Sequence, residues 1–287
     1  MRRIKEFIIE KFILMCGVAS IFFVLLIFLF LLREGLAVFK TITPSGFIFG
    51  KSWYPISEPA KLGILPLILG SIVVTIGAAV ISIPIGVGCA VYIAEVAPKK
   101  LKEVLKAGIE MLAAIPSVVL GFLGMVTLVP LVKNLFHLPT GLTALSGSIM
   151  LAFMAMPTIV SIAEDALYSV PKNYREGAFA LGATHWQTIW RVMLPAASSG
   201  IVAAVMLGIG RVIGETMAVM MITGNAAVIP ESILAPVRTL TATIAAEMGE
   251  AVVGSEHYFA LFAIGIVLFV ISFAINITAD FFLHKRQ

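Results

Sequence analysis

The sequence predicts an all-α polytopic membrane protein with six transmembrane helices. Three observations carry this expectation. Hydrophobic residues fill 60% of the 287 positions and charged residues only 13%, where a soluble domain carries about 25% charged residues. The apolar residues fall in long blocks rather than in short alternating runs, and the mean hydropathy is +1.06. The blocks reach the roughly 20 residues that a helix needs to cross about 30 Å of hydrocarbon, and a helix pairs its backbone groups internally, as lipid demands.

The elements follow in chain order. Block 12–32 carries no charge. It is too long for the h-region of a signal peptide and lacks a small-residue exit, so it reads as a retained first span. The loop 33–61 is rich in proline and glycine, and Trp53 and Tyr54 suit a headgroup-level anchor. Block 62–94 is uncharged and longer than one straight crossing needs, with Pro66 and Pro84 inside it. The Lys/Glu spacing of Lys99, Lys102, Glu103, Lys106 and Glu110 suits a short surface helix. Block 111–132 holds Pro116, and 133–141 is a brief turn. Block 142–163 holds Pro157 and closes at Glu164-Asp165. Each proline removes a helix hydrogen bond, so bends are expected; they fit transport and ordinary bundle irregularity equally. After a polar segment, block 196–224 is apolar except for Arg211 and Glu215. The segment 225–257 has room for a helix packed at the outer surface, and block 258–279 completes the set. The expectation is one transmembrane domain over 1–287.

Six spans put both termini on one side. With the N-terminus inside, the inner segments hold Arg2, Arg3, Lys5, Lys11, Lys99, Lys100, Lys102, Lys106, Lys172, Arg175, Arg191, Lys285 and Arg286. The outer segments hold Arg33, Lys40, Lys51, Lys61, Lys133 and Arg238. That is 13 against 6, an inside excess that places both termini in the cytoplasm. The formal charge of +4 therefore reports orientation in lipid, not nucleic-acid binding. Cys16 and Cys89 fall inside spans and form no disulfide or metal pattern; they read as small packing residues. His137, His185, His257 and His284 are scattered and read as surface residues, so no metal site is expected. No G-x-x-x-x-G-K-[ST] phosphate loop and no nucleophile–base set occurs, so neither ATP binding by that route nor enzymatic chemistry is expected.

The polar segment 164–197 divides in two. Pro171 suits a first helical turn, and 173–181 forms one helix. Gly182 permits a left-handed turn, and Thr184 caps a second helix over 185–193. Tyr174, Phe179, Trp186, Ile189 and Trp190 are expected on its surface. Aromatics on a small rigid element fit a protein interface; they fit a helix pair lying in the membrane interface as well.

Within block 196–224 two charges stand out. An ionisable residue in a span costs of order 3 kcal/mol at the helix centre, which makes function its default reading. Arg211 and Glu215 are four apart, so a continuous helix would let them pair. The planar guanidinium matches phosphate-type oxygens, with Glu215 holding it between substrates. A structural ion pair that fixes helix packing is the other reading. Gly208, Gly210 and Gly214 thin the helix and admit another backbone or a substrate.

The run Glu176-Gly177-Ala178-x3-Gly182-x9-Val192-x-Leu194-Pro195 resembles the EAA loop of ABC importer permeases, E-A-A-x3-G-x9-I-x-L-P, departing at Gly177 and Val192. The resemblance implies a type I, MetI-like permease. Its loop, through Glu176, Gly177, Ala178, Gly182, Leu194 and Pro195, would seat in a groove of a separate ATPase that hydrolyses the ATP. The run Arg211-x-x-Gly214-Glu215-Thr216-Met217-Ala218-Val219 is similar to the membrane motif of PstC-type permeases of the phosphate-specific importer. Tyr92-Ile93-Ala94-Glu95 and Thr239-Leu240-Thr241 agree with it. This resemblance implies inorganic phosphate as cargo, with Arg211 and Glu215 as the translocation charges. It also implies a PstA-type sister permease, a PstB-type ATPase dimer and an extracytoplasmic PstS-type phosphate-binding protein in the prokaryotic inner membrane, with no cofactor in this chain. Another oxyanion as cargo, a proton-coupled carrier using Glu215, and a scaffold without transport are the rivals.

Overall fold

The computed structural model describes residues 2–284, with side chains at 7 and 9–278. Lys285 and Arg286 of the charge count, and the side chains of Arg2, Arg3, Lys5 and His284, lie outside the described residues. Helix α1 (Arg2–Gly35) leads through a 3-10 turn to α2 (Pro44–Phe49). A two-stranded antiparallel hairpin follows, β1 (Trp53–Tyr54) with β2 (Lys61–Leu62), Trp53 opposite Leu62. Then come α3 (Leu65–Val91), extended by a π turn over Tyr92–Val96, α4 (Lys99–Ala114), α5 (Ser117–Leu135) and α6 (Ala144–Tyr168). The polar segment folds as α7 (Lys172–Ala180), α8 (His185–Thr188), a π turn over Ile189–Met193 and α9 (Leu194–Ala196). The chain ends with α10 (Ser198–Gly214), α11 (Met217–Ile222), α12 (Leu240–Glu247) and α13 (Glu256–His284).

Five of these helices are long and apolar enough to cross a membrane, and a bent pair, His185–Ala196 with Ser198–Gly214, brings the number to six. The helix α6 is the most buried of them and sits between α3 and α10. Small residues set this packing, as association in lipid requires close backbones. A Cβ at Gly77 would strike Ser148, one at Gly86 or Gly208 would strike Ile159, and one at Gly200 would strike Ala166. The buried Ser148 hydroxyl, stranded among apolar neighbours, donates to the Ala144 carbonyl at 2.8 Å. Helix α1 lies at the edge and leans on α13 through Phe28–Phe269 and Phe30–Phe262, whose ring centroids are 4.6 and 5.5 Å apart.

The proline expectations resolve individually. Pro84 and Pro157 sit inside continuous helices, and Pro66 lies in the first turn of α3, where its missing N–H is no loss. Pro116 breaks its block instead. A residue before proline is steered away from the α region, and Ile115 is extended at ψ 128°. Residues 111–114 therefore finish the amphipathic α4, and the crossing helix starts at Ser117. Cys16 and Cys89 are free and exposed on the outside of α1 and α3, not packed within the bundle.

At the expected outer end, Glu247 of α12 gathers three segments. It accepts from Trp53 Nε1 at 3.0 Å and faces His257 Nε2 at 2.9 Å. The Arg238 guanidinium pairs with it and also donates to the Asn225 carbonyl at 3.0 Å. Two expectations are corrected here. Trp53 is buried in the apolar cluster with Leu62 and Leu240, and Glu247 provides the partner that its indole N–H needs there; Tyr54 next to it is the exposed aromatic. His257 is mostly covered at the same carboxylate, whereas His137 and His185 are exposed.

Candidate functional site

Helix α10 has 17 residues, about 26 Å of rise, short of the about 30 Å hydrocarbon thickness. It stops at Gly214 because Glu215 turns extended at φ −70°, ψ 134°. Thr216 caps the Gly214 carbonyl at 3.1 Å before α11 begins. This corrects the expected i, i+4 pairing. Without a continuous helix the two charges do not share a face, and no ion pair joins them among the described residues. Each is instead met by a helix end. Arg211 lies in the last turn of α10, where the carbonyl end of the helix favours a cation. The Glu215 carboxylate accepts the Ala218 N–H at the start of α11, at 3.3 Å, where the amide end favours an anion. The break is braced from outside: Thr241 of α12 donates to the Glu215 carbonyl at 2.9 Å.

The Arg211 side chain is exposed, and the one hydrogen bond it makes among the described residues, to the Thr158 hydroxyl of α6, is long at 3.4 Å. The three glycines part company. Gly208 is buried against Ile159, but Gly210 and Gly214 face open space. Among the described residues the guanidinium thus has most of its five donors unused, on a helix face bare of side chains at two positions.

In the polar segment, α7 and α8 form the expected helix pair. Gly182 takes φ +80°, a left-handed turn that suits glycine. Thr184 and Gln187 form a capping box, with Gln187 N–H to Thr184 Oγ1 at 3.3 Å and Thr184 N–H to Gln187 Oε1 at 2.9 Å. Tyr174, Phe179, Trp186 and Trp190 are exposed as expected, whereas Ile189 is 1% exposed. The wide π turn rotates Ile189 inward together with Met193. Leu181, at 91%, is the exposed apolar residue that sequence reasoning missed; its place beside a left-handed glycine was the available signal. Glu176, Gly177 and Gly182 are exposed, Ala178 faces inward, Leu194 packs partly beside Leu167 and Met193, and Pro195 is exposed.

Next to this segment Glu164, nearly buried at the end of α6, receives Lys106 at 2.8 Å and lies 3.0 Å from Lys102. Lys102 also stands over the Tyr168 ring, 3.5 Å from its centroid. The hydrogen bond to Glu164 holds the Lys106 ammonium above the ordinary lysine range. This clamp fixes α4, which is not a crossing helix, to the end of α6.

Residues 82–286 match the family of binding-protein-dependent transport system inner membrane components. The chain belongs to this family. The permease is 41% identical over 274 residues to the probable ABC transporter permease protein YqgH of Bacillus subtilis, covering 95% of this chain and 89% of that one. It is 36% identical over 258 residues to the phosphate transport system permease protein PstC of Mesorhizobium japonicum, covering 83% and 78%. Among solved structures it resembles a chain of the bacterial ABC transporter involved in the import of the acidic polysaccharide alginate. That match has a TM-score of 0.67 at 16% identity over 99% of each chain. A chain of the inward-facing MetNI methionine ABC transporter aligns with a TM-score of 0.63 at 18% identity, over 81% of this chain and 100% of that one. These identities establish the fold, that of a MetI-like ABC importer permease. The chain is a transport permease of the inner membrane, not an enzyme.

Proposed function

We propose that this permease carries inorganic phosphate inward as one half of a translocation pathway, both of its termini cytoplasmic and residues 1–287 forming one transmembrane domain. Its partners are a PstA-type permease, a PstB-type ATPase dimer and an extracytoplasmic PstS-type phosphate-binding protein. Arg211 offers its guanidinium to the anion, and Glu215 discourages tight trapping. Glu176, Gly177, Ala178, Gly182, Leu194 and Pro195 couple the chain to the ATPase, with Tyr174, Trp186 and Trp190 as further anchors on that surface. The binding protein delivers phosphate from outside, ATP binding opens the pathway outward, and hydrolysis resets it.

The observation that carries the cargo reading is the exposed Arg211 guanidinium at the α10–α11 break. A planar fork with donors open to a ligand suits a tetrahedral oxyanion. The PstC relatives, named as phosphate transport permeases, favour phosphate over other oxyanions. The test is uptake into proteoliposomes holding this chain with its permease, ATPase and binding-protein partners. The expected result is phosphate uptake that requires ATP hydrolysis and ignores excess sulfate. Uptake blocked by sulfate would change the cargo, and uptake driven by a proton gradient without ATP would replace the machine with a secondary carrier.

A further inference from the structure

A second buried carboxylate lies at the coupling end, and the proposed translocation and coupling roles leave it unused. Glu95 sits in the π turn that extends α3, with its side chain 2% exposed. Among the described residues one cation reaches it, Arg175 of α7, through Nη2. Arg175 precedes the EAA-like run by one position. On α7 it lies three residues from the inward Ala178, and so on the same helical side, while Glu176 and Gly177 are exposed. The helix therefore has an inner face that holds the bundle and an outer face left open.

The junction itself is loosely filled. A cavity of about 90 Å³ lies there, bounded by Glu95, Tyr168, Lys172, Arg175 and Met193 among others. Packed side chains transmit displacement by shape; Val91 and Ala94 pack against the cluster of Leu167, Met193 and Ala197, and the charge pair spans the gap beside that contact. Beyond Glu95, α3 is seated on α6 at Gly77–Ser148 and Gly86–Ile159. Ile159 also seats Gly208 of α10, and the adjacent Thr158 receives Arg211. Covalently, α7 connects only to α6 and, through the 70° bend, to α10. The Arg175–Glu95 pair adds a direct connection to α3. The π turn under Glu95 is a wide turn of the kind that marks functional positions in helices.

We propose that Arg175 and Glu95 form the tie through which displacement of α7 is carried into α3. Arg175 is then a positioning residue of the transport cycle, separate from the residues that face the ATPase. The proposal rests on the coupling reading above. Without the tie, α7 follows the ATPase while α3 lags behind α6 and α10, so ATP is spent without moving the bundle around Arg211 as one.

The test uses the assembled transporter in proteoliposomes, with ATPase retention, ATP hydrolysis and phosphate uptake measured together. In Arg175→Gln, retention persists and hydrolysis stays within about twofold, while phosphate taken up per ATP falls about tenfold. Removing one partner orphans a buried charge and threatens folding, so Glu95→Gln with Arg175→Gln is measured beside it. That double variant leaves no orphaned charge and is expected to be as uncoupled as the single one, whereas Arg175→Lys recovers most of the coupling. Wild-type uptake per ATP in either glutamine variant overturns the tie. So does joint loss of ATPase retention and uptake in both, which would make the pair a folding contact. Glu176→Lys in the same assay tests the coupling reading itself: unchanged retention and uptake there sink that reading, and a wild-type complex that takes up no phosphate sinks the cargo.

Discussion

Two places in this permease bring together an arginine and a glutamate, and they are held in opposite ways. At the expected outer end Glu247 is met by Arg238, Trp53 and His257, so three segments of chain meet on one carboxylate. At the α10–α11 break Arg211 and Glu215 are held apart, each by a helix end, and among the described residues Arg211 makes a single long hydrogen bond. A cluster whose groups already hold one another acts as architecture, here at the wall of a cavity of about 650 Å³. An unfilled one at a helix break, with glycine at 210 and 214 on its face, keeps donors in reserve. The difference separates a staple from a site, although both contain one arginine and one glutamate.

The strongest way to break this comparison is to exchange the consequences. Arg211→Gln is expected to reduce phosphate uptake to background while the permease still assembles with its ATPase, because the side chain supports little of the fold. Uptake assays with co-purification check this, and normal uptake would remove Arg211 from the pathway. Glu247→Leu should do the reverse. It strips a mostly buried guanidinium of its partner and leaves the Trp53 N–H unpaired, a loss of about 3 kcal/mol. That loss is read as a lower unfolding midpoint in detergent. An unchanged midpoint would show that water already satisfies Arg238 and that the outer cluster is no staple.

A smaller effect sharpens the membrane side. Gly208→Ala puts a methyl group into Ile159, and overpacking at a helix contact should cost about 2 kcal/mol. Gly210→Ala meets nothing within the chain and should leave stability within about 0.5 kcal/mol. If Gly210→Ala nonetheless stops uptake, the open face is occupied in the assembled transporter by substrate or by the sister permease. Thermal unfolding and uptake, measured on both variants, separate the cases.

The same contrast explains what the sequence made legible. Lipid imposes helix length and apolarity, so the blocks from 12–32 to 258–279 stand out unaided. Arg211 and Glu215 stand out because charge in such a block is costly. Their relative placement does not, because it depends on where α10 stops. Thr241, 26 positions later, braces that stop, and no spacing rule links the two. Glu247 is less legible still: its Trp53 donor is 194 residues away, and polar residues in loops look alike until the fold brings them together. In the polar segment, turn chemistry at Gly182 and Thr184 was readable from residue type alone, while the inward turn of Ile189 required the π geometry.

The smallest effect bears on the one hydrogen bond that Arg211 makes. At 3.4 Å the contact with Thr158 is at the weak end of hydrogen-bond geometry, and the guanidinium is exposed. Thr158→Val preserves shape and removes the acceptor, so stability should change by less than about 0.5 kcal/mol. Uptake should fall by no more than about threefold, since an anion in the pathway would orient the guanidinium by itself. Half-saturation measured against maximal uptake decides the matter. A pure rise in half-saturation would mean that Thr158 helps to aim Arg211 at incoming phosphate. A collapse of maximal uptake would mean that the hydroxyl takes part in the cycle. In that event the membrane pair is less open than its distances indicate, and the contrast with the outer cluster narrows to one of degree.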